Sequence, residues 1–207
     1  MTYNRNLYWN NFYKIKRFDN KISFPSQFSI FTLSHDINKN ILIEFGCGNG
    51  RDAFHMSKYY KKTLAFDLSK SAISNNIKKF KKIKNLNFEV CDVTKDINIT
   101  YLKKLKKTIY ARFFVHSLKN NEIEIFIKFV SKILNKNEKV FLEYRTHLDK
   151  NKKKVFKKHF RNFLNPNKII DFFDKVKINN IYSKSSYGFA IFNEEDPHVS
   201  RQIFKKT

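Results

Sequence analysis

Glycine, proline and cysteine are all scarce in this chain of 207 residues, with four, three and two copies. Two cysteines, Cys47 and Cys91, are too few for a disulfide framework or a zinc site. A reducing cytoplasm is therefore the expected location. No apolar run approaches the roughly 20 residues that span a bilayer. The opening stretch, "MTYNRNLYWNNFYK", lacks the apolar segment and small residues of a secretory signal. No Cys/His/Asp cluster has ligand spacing, so no metal is expected. Acidic residues are also short: 18 against 42 basic ones, a formal net charge of +24.

That charge has two readings. Polyanions attract basic surfaces, which points to nucleic acid. The excess is mostly lysine, however, and Asn, Ile and Phe are abundant too, the usage of an AT-rich genome. On that reading the charge is mainly a solvated face that still favours anionic substrates. Only seven arginines are present: Arg5, Arg17, Arg51, Arg112, Arg145, Arg161 and Arg201. Because lysine cannot reproduce the planar two-point fork of a guanidinium, geometry is a reason to keep them. The apolar content of 42%, with 23 Phe and 10 Tyr, is ample for a core.

Apolar runs alternate with helical patterns. Strands are expected at 40–46, 63–69, 85–93, 107–115 and 138–145, and helices at 51–60, 70–83, 120–134 and 165–175. Residues 177–192 and 198–206 read as an antiparallel strand pair. This alternation predicts an α/β fold with a mostly parallel sheet flanked by helices. With no repeat and no flexible linker, residues 1–207 are expected to form a single domain. Within it, 1–38 reads as an N-terminal helical cap, 39–148 as a core, and 149–207 as an insertion followed by the C-terminal strands. The basic stretch 149–163 is expected as a loop or helix over the site.

Three of the four glycines fall in "ILIEFGCGNGRD", at Gly46, Gly48 and Gly50. Glycine permits positive φ and close approach of a ligand to the main chain, so this strand-to-helix turn reads as a binding turn. It departs from the dinucleotide fingerprint, because Arg51 stands where the third glycine belongs. Acidic residues sit at three strand ends: Glu44, Asp67 and Asp92. Three acids suit a nucleoside carrying a sulfonium and an ammonium, and suit a pyrophosphate poorly.

"IEFGCGNGRD", "AFDLS" and "CDV" resemble the first three motifs of class I S-adenosylmethionine-dependent methyltransferases, over residues 41 to 93. The resemblance implies a Rossmann-like fold, S-adenosylmethionine as cofactor and S-adenosylhomocysteine as product. It places Gly46, Gly48 and the Cys47 backbone along the methionine part, Asp67 on the ribose, and Asp92 with Val93 at the adenine. Glu44, Arg51, Leu68 and Tyr13 complete the implied cofactor set. Arg51 and Asp52 are read as capping the first helix after the turn. Tyr8, Trp9, Phe12 and Tyr13 either close over the cofactor or pack in the core.

"YARFFVHSL", "FLEYR", "HFRNFL" and "FNEEDPHVSRQIF", with "YWNNFY" and "FPSQF", resemble small bacterial methyltransferases of capsule or surface-polysaccharide biosynthesis. Within that group the chain resembles enzymes that methylate capsule modifications such as the phosphoramidate group. The resemblance implies O-methylation of a small anionic (phosphate or phosphoramidate) or sugar acceptor. The candidate acceptor residues are Arg112, His116, Arg145, His159 and Arg161, which form an anion pocket if they converge. Four of the five have a structural alternative: His116 in the core, Arg145 paired with Glu143 or Asp149, His159 and Arg161 in solvent. Arg201 is read as structural, paired with Glu194, Glu195 or Asp196. His116 is the candidate base for a sugar hydroxyl, whereas a phosphoryl oxygen needs none. The competing reading, an RNA methyltransferase or nucleic-acid-binding protein, lacks the Asn/Asp-Pro-Pro-aromatic element after the fourth strand. A scaffold that binds the cofactor without catalysis stays open, as does the oligomeric state.

Overall fold

The computed structural model describes residues 4–15, 23–95, 100–152, 154 and 159–207. Arg17 and part of the basic stretch (153 and 155–158) lie outside the described residues, as do 1–3, 16–22 and 96–99 of the expected cap and core. Seven strands form one sheet: β1 (Ile41–Phe45), β2 (Lys62–Asp67), β3 (Leu86–Val90), β4 (Lys107–Arg112), β5 (Lys139–Arg145), β6 (Ile178–Ser186) and β7 (Val199–Lys206). Their order is β3-β2-β1-β4-β5-β7-β6. The first five run parallel, and β7 lies antiparallel between β5 and β6. Strand order therefore reverses between β1 and β4, and the crevice beyond their carboxyl ends is where such sheets bind ligands.

The helices are α1 (Arg5–Lys14), α2 (Gln27–His35), α3 (Arg51–Ser57), α4 (Lys70–Lys79), α5 (Asn120–Ile133) and α6 (Pro166–Asp174). Ile43 and Phe45 join the core shared with α5 and α6, while Leu42 joins the other core, with Phe28 of α2 and Met56 of α3. Burial on both faces explains why β1 reads as an unbroken apolar run. Along α5 the 3.6-residue period delivers Ile123, Phe126, Ile127, Val130 and Ile133 to the core. Each such burial is worth about 1.5–3 kcal/mol.

Expected boundaries shorten at several elements (β3 ends at Val90, α3 at Ser57, α4 at Lys79 and β6 at Ser186), and two more move for identifiable local reasons. The fourth strand was expected to reach 115 but stops at Arg112, because Phe113 has φ 53°, which no strand accommodates. The second strand stops at Asp67 because Ser69 turns to cap α4, its side chain accepting from Ala72 N. The tail does two jobs. Strand β7 fills the sheet interior, and the β6–β7 loop carries Ala190, Ile191, Phe192 and Glu195 to the wall of a cavity at the strand ends.

Candidate active site

The turn after β1 is stitched to β2: Gly46 N and Cys47 N both donate to Phe66 O, at 2.8 and 3.0 Å. Its glycines divide in function. Gly46 and Gly48 line a cavity of about 500 Å³, and a Cβ on Gly48 (φ 53°) would strike the Tyr13 hydroxyl. Gly50 instead turns inward, at φ 71°, where a Cβ would meet Asn76, Phe80 and Phe88, each at 3.0 Å. Gly50 is also the N-cap of α3 and offers no side-chain bond, so Arg51 and Asp52 do not cap that helix. Asp52 is spent elsewhere: it accepts from Ser26 N (2.8 Å), Ser26 Oγ (2.7 Å) and Tyr110 Oη (2.7 Å), tying the start of α2 to α3 and β4. Arg51 lines the cavity and donates to Phe24 O at 3.2 Å.

Glu44 is 3% exposed, and its Oε2 has no hydrogen-bond partner among the described residues. Burial, then the charges of Asp52 and Asp67, push its carboxyl well above the usual range, against the pull of Arg51 and Arg112. Asp67 accepts from Gly48 N (2.9 Å) and Ser69 N (2.8 Å), so it holds the turn to the end of β2. Burial raises its pKa. Cys47 stays a buried thiol, pushed up by burial and then by Asp67 and Glu44. The glycine-turn end of the cavity thus gathers the carboxyl groups of Glu44, Asp52 and Asp67, with Arg51 beside them.

Asp67, Leu68, Asp92 and Val93 line a second, smaller cavity of about 80 Å³. It is below the roughly 300 Å³ at which ligand cavities begin, and α1 is the reason. Arg5 of α1 reaches Asp92 (3.3 Å), Thr94 (3.2 Å) and Glu122 (2.9 Å). Asn10 accepts from Ser69 Oγ and Ser71 N, and Tyr13 O accepts from Asn75. No residue of α1 is buried. Its aromatic residues stack on one another and pack at a tilt against His159, and Trp9 and Tyr13 line both cavities. Of the two readings of these aromatics, the helix lies over the site and outside the core.

Arg112, His116, Arg145, His159 and Arg161 all line the larger cavity. Three segments far apart in sequence bring them there: the end of β4 with the turn at Val115–Ser117, the end of β5, and the stretch after 158, held by Asn162 N donating to His116 O at 2.7 Å. Ion pairs engage Arg145 and Arg112. Arg145 bridges Asp149 (2.7 Å) and Glu195 (2.5 Å), and Arg112 donates to Glu143 at 2.8 Å. Glu143, not the acids at 194–196, also holds Arg201, at 2.8 Å, which keeps Arg201 structural but corrects its partner.

The histidines report the local field. Burial, then Arg145, His159, Arg161 and Arg112, push His116 well below its ordinary pKa. His159 is brought down to about 3 by burial and then by Arg161 and Arg145. Arg145 N donates to His116 Nδ1 at 3.3 Å, so the neutral ring carries its proton on Nε2. A ring held in that form donates from Nε2 and is not poised to take a proton. The base role expected for His116 therefore loses its physical footing.

Sequence reasoning missed the places of Glu195, Phe113 and Arg5 at the site, and named Tyr8 without its histidine partner. Glu195 lies 50 residues from its partner Arg145, and no spacing announces such a pair. Phe113 lines both cavities and carries Arg112 and Arg145 against its ring, 4.3 and 5.4 Å from the centroid. Its positive φ is the kind of backbone cost that concentrates at functional sites. Tyr8 Oη lies 3.3 Å from His159 Nδ1. Arg5 carried a signal, as one of the few arginines retained.

The groups present fit S-adenosylmethionine: an orphaned buried carboxylate oxygen for a cation, two glycines that leave bare backbone on the cavity wall, and volume beside them. A family model described as a methyltransferase domain matches residues 17–192. No curated protein matches the chain significantly. Among solved structures, a SAM-dependent methyltransferase from Anabaena variabilis is similar at TM-score 0.78 and 15% identity, covering 98% of this chain and 93% of that one. An S-adenosylmethionine-dependent methyltransferase from Clostridium acetobutylicum is similar at TM-score 0.68 and 14% identity, covering 97% and 99%. A TehB-like SAM-dependent methyltransferase from Corynebacterium glutamicum gives the same four values. At these identities the structures speak for the fold, and the family match speaks for the rest: this chain belongs to the methyltransferase-domain family, enzymes whose cofactor is S-adenosylmethionine.

Proposed function

We propose that the enzyme methylates an oxygen of a small anionic acceptor, a phosphate or phosphoramidate group or a sugar bearing one, as the resemblance to surface-polysaccharide enzymes implies. The carrying observation is the opposed polarity of one cavity. At the glycine turn Glu44, Asp52 and Asp67 stand together, and burial and then these acids raise Glu44; at the far end Arg145 and Arg161 stand beside His116 and His159, which burial and then these guanidinium groups lower. A cationic cofactor suits the first end and an anionic acceptor the second.

The bound cofactor supplies a methyl group activated by a positive sulfur. Glu44 holds the cofactor's ammonium, and Gly46 and Gly48 let its chain lie on the backbone. Asp67 and Asp92 serve the nucleoside, with Leu68 and Val93 beside it. Arg161, His159 and the donor face of His116 hold the acceptor's anionic oxygens by charge-assisted hydrogen bonds, and Arg112 and Arg145 set the field. Such an oxygen is already ionised, so no base is required and the work is alignment within attack distance. A neutral sugar hydroxyl would require a base, and Glu195, the buried carboxylate at that end, is engaged by Arg145.

The test is methyl transfer from labelled S-adenosylmethionine to sugar phosphates and phosphoramidates against the matching neutral sugars and RNA, in wild type and Arg161→Gln. Transfer is expected to the anionic acceptors alone. The variant should raise KM on the order of ten-fold or more, as loss of a charged hydrogen bond does. Equal turnover on neutral sugars, or transfer to RNA, would sink the reading.

A further inference from the structure

The end of the molecule opposite the cavity is a cationic face. The amino ends of β1 to β5 are in register there with the end of β7 and the start of β6. Every connection at that end carries lysine, including the exposed Lys61, Lys82, Lys84, Lys104, Lys106 and Lys136. A lysine-rich composition scatters lysines over any surface, but it does not decide where the acids go. Here Asp36 and Glu138 are buried and consumed internally, Asp36 by Tyr60 and Thr108 hydroxyls and Glu138 by Lys107. Among the described residues, the exposed carboxylates at this end are Asp171 and Asp174 of α6. Glu44, Asp52, Asp67, Asp92, Glu122 and Glu195 all stand at the cavity end.

Two further features lie on the same face. Ile37, in the loop before β1, is 86% exposed, and Tyr59, in the loop before β2, is 53% exposed. A groove of about 390 Å³ at this end is lined by Lys104, Lys106, Lys136, Asn38 and Asn137, together with the internally engaged Asp36 and Glu138. We infer that this strand-start face docks on an anionic lipid bilayer, with lysines over the headgroups and Ile37 and Tyr59 entering the interface. Lysine is a point charge suited to a diffuse sheet of negative charge. Tyrosine favours the interface, and an exposed isoleucine gains by entering it. The arginine forks that read nucleic acid bases and stack on them lie elsewhere: the described arginines are on α1, around the cavity and on β7. Among the described residues no helix is long and apolar enough to cross a membrane, so the contact is peripheral. The cavity then faces away from the bilayer.

The full-length protein is sedimented with vesicles of phosphatidylcholine alone and of equal parts phosphatidylcholine and phosphatidylglycerol. Binding is expected only to the anionic vesicles, falling as salt screens it. The combined variant Lys61→Gln, Lys82→Gln, Lys84→Gln should bind on the order of 100-fold more weakly, from about five-fold per lysine. Ile37→Asp should weaken binding further. Both variants should bind S-adenosylhomocysteine like wild type, which shows the fold intact. Binding to neither vesicle, equal binding to both, or full binding by the triple variant overturns the inference. Tighter binding to single-stranded RNA than to anionic vesicles overturns it in favour of a nucleic-acid partner.

Discussion

Glu44→Gln keeps the shape of a side chain and removes one charge from an enclosed position. In the free protein, burial and the charges of Asp52 and Asp67 hold the Glu44 carboxyl well above its usual range. A carboxyl raised in the folded state contributes stability that is full below its unfolded pKa, about 4.3, and is lost as pH rises through the folded value. Above that value the free wild-type protein carries an ionised group with an unpartnered oxygen, and glutamine removes the charge. Free Glu44→Gln should therefore melt higher than wild type at alkaline pH, with the difference closing under acid conditions. Cofactor binding should show the reverse. An ammonium against Oε2 favours the ionised form, so wild type releases a proton on binding, and its affinity rises with pH through the free-state pKa. Losing a charged hydrogen bond costs about 1.5–3 kcal/mol, or roughly 10- to 150-fold in affinity for S-adenosylhomocysteine. Calorimetric titration in two buffers of different ionisation enthalpy reads proton release and affinity together, and thermal unfolding reads the stability change. A variant that binds as tightly as wild type, or that is less stable when free at alkaline pH, would refute the reasoning.

Gly48 and Gly50 should separate by function. Gly48→Ala is expected to lose S-adenosylhomocysteine binding, by its clash with Tyr13, with a modest drop in melting temperature. Gly50→Ala adds to the left-handed backbone cost, about 1–2 kcal/mol at either position, a Cβ pressed against Asn76, Phe80 and Phe88, and should lose more in urea unfolding than Gly48→Ala; the opposite pattern would reverse their assignment. Glu143 is fully buried between Arg112 and Arg201. Glu143→Gln strands two guanidinium groups and should destabilise by about 3–5 kcal/mol, read from the urea midpoint. A loss within experimental error would show that water reaches the pair. His116 has a depressed folded pKa, so its stabilising effect is present above about pH 6.5 and is lost as pH falls through the folded value. His116→Gln should flatten that part of the acid-side stability curve, while wild-type kcat shows no histidine limb between roughly pH 6 and 8. A limb there that vanishes in the variant would restore the base.

Much of the fold was legible because its signals are local. The strand-to-helix alternation, the acids at strand ends and the glycine turn each occupy a few consecutive residues, and hydrophobic period and turn chemistry act over that range. The strand pair at 177–192 and 198–206 was legible as a pair. Its insertion of β7 beside β5 was not, since register there depends on partners some 60 residues away. Phe113 shows the limit within a single element: its apolar side chain extends the strand pattern, yet its backbone ends the strand.

The same division runs through the site. From its own residues the chain specifies a strand-to-helix turn of bare glycine backbone, acids at three strand ends, and a few arginines retained against a bias toward lysine. Tertiary structure alone decided what those charges face. It paired Arg145 with Glu195 and Arg112 with Glu143, set Arg5 on Asp92, and fixed the proton of His116 through the backbone N–H of Arg145. Coulomb energy and desolvation depend on distance and burial, and neither is a property of sequence spacing.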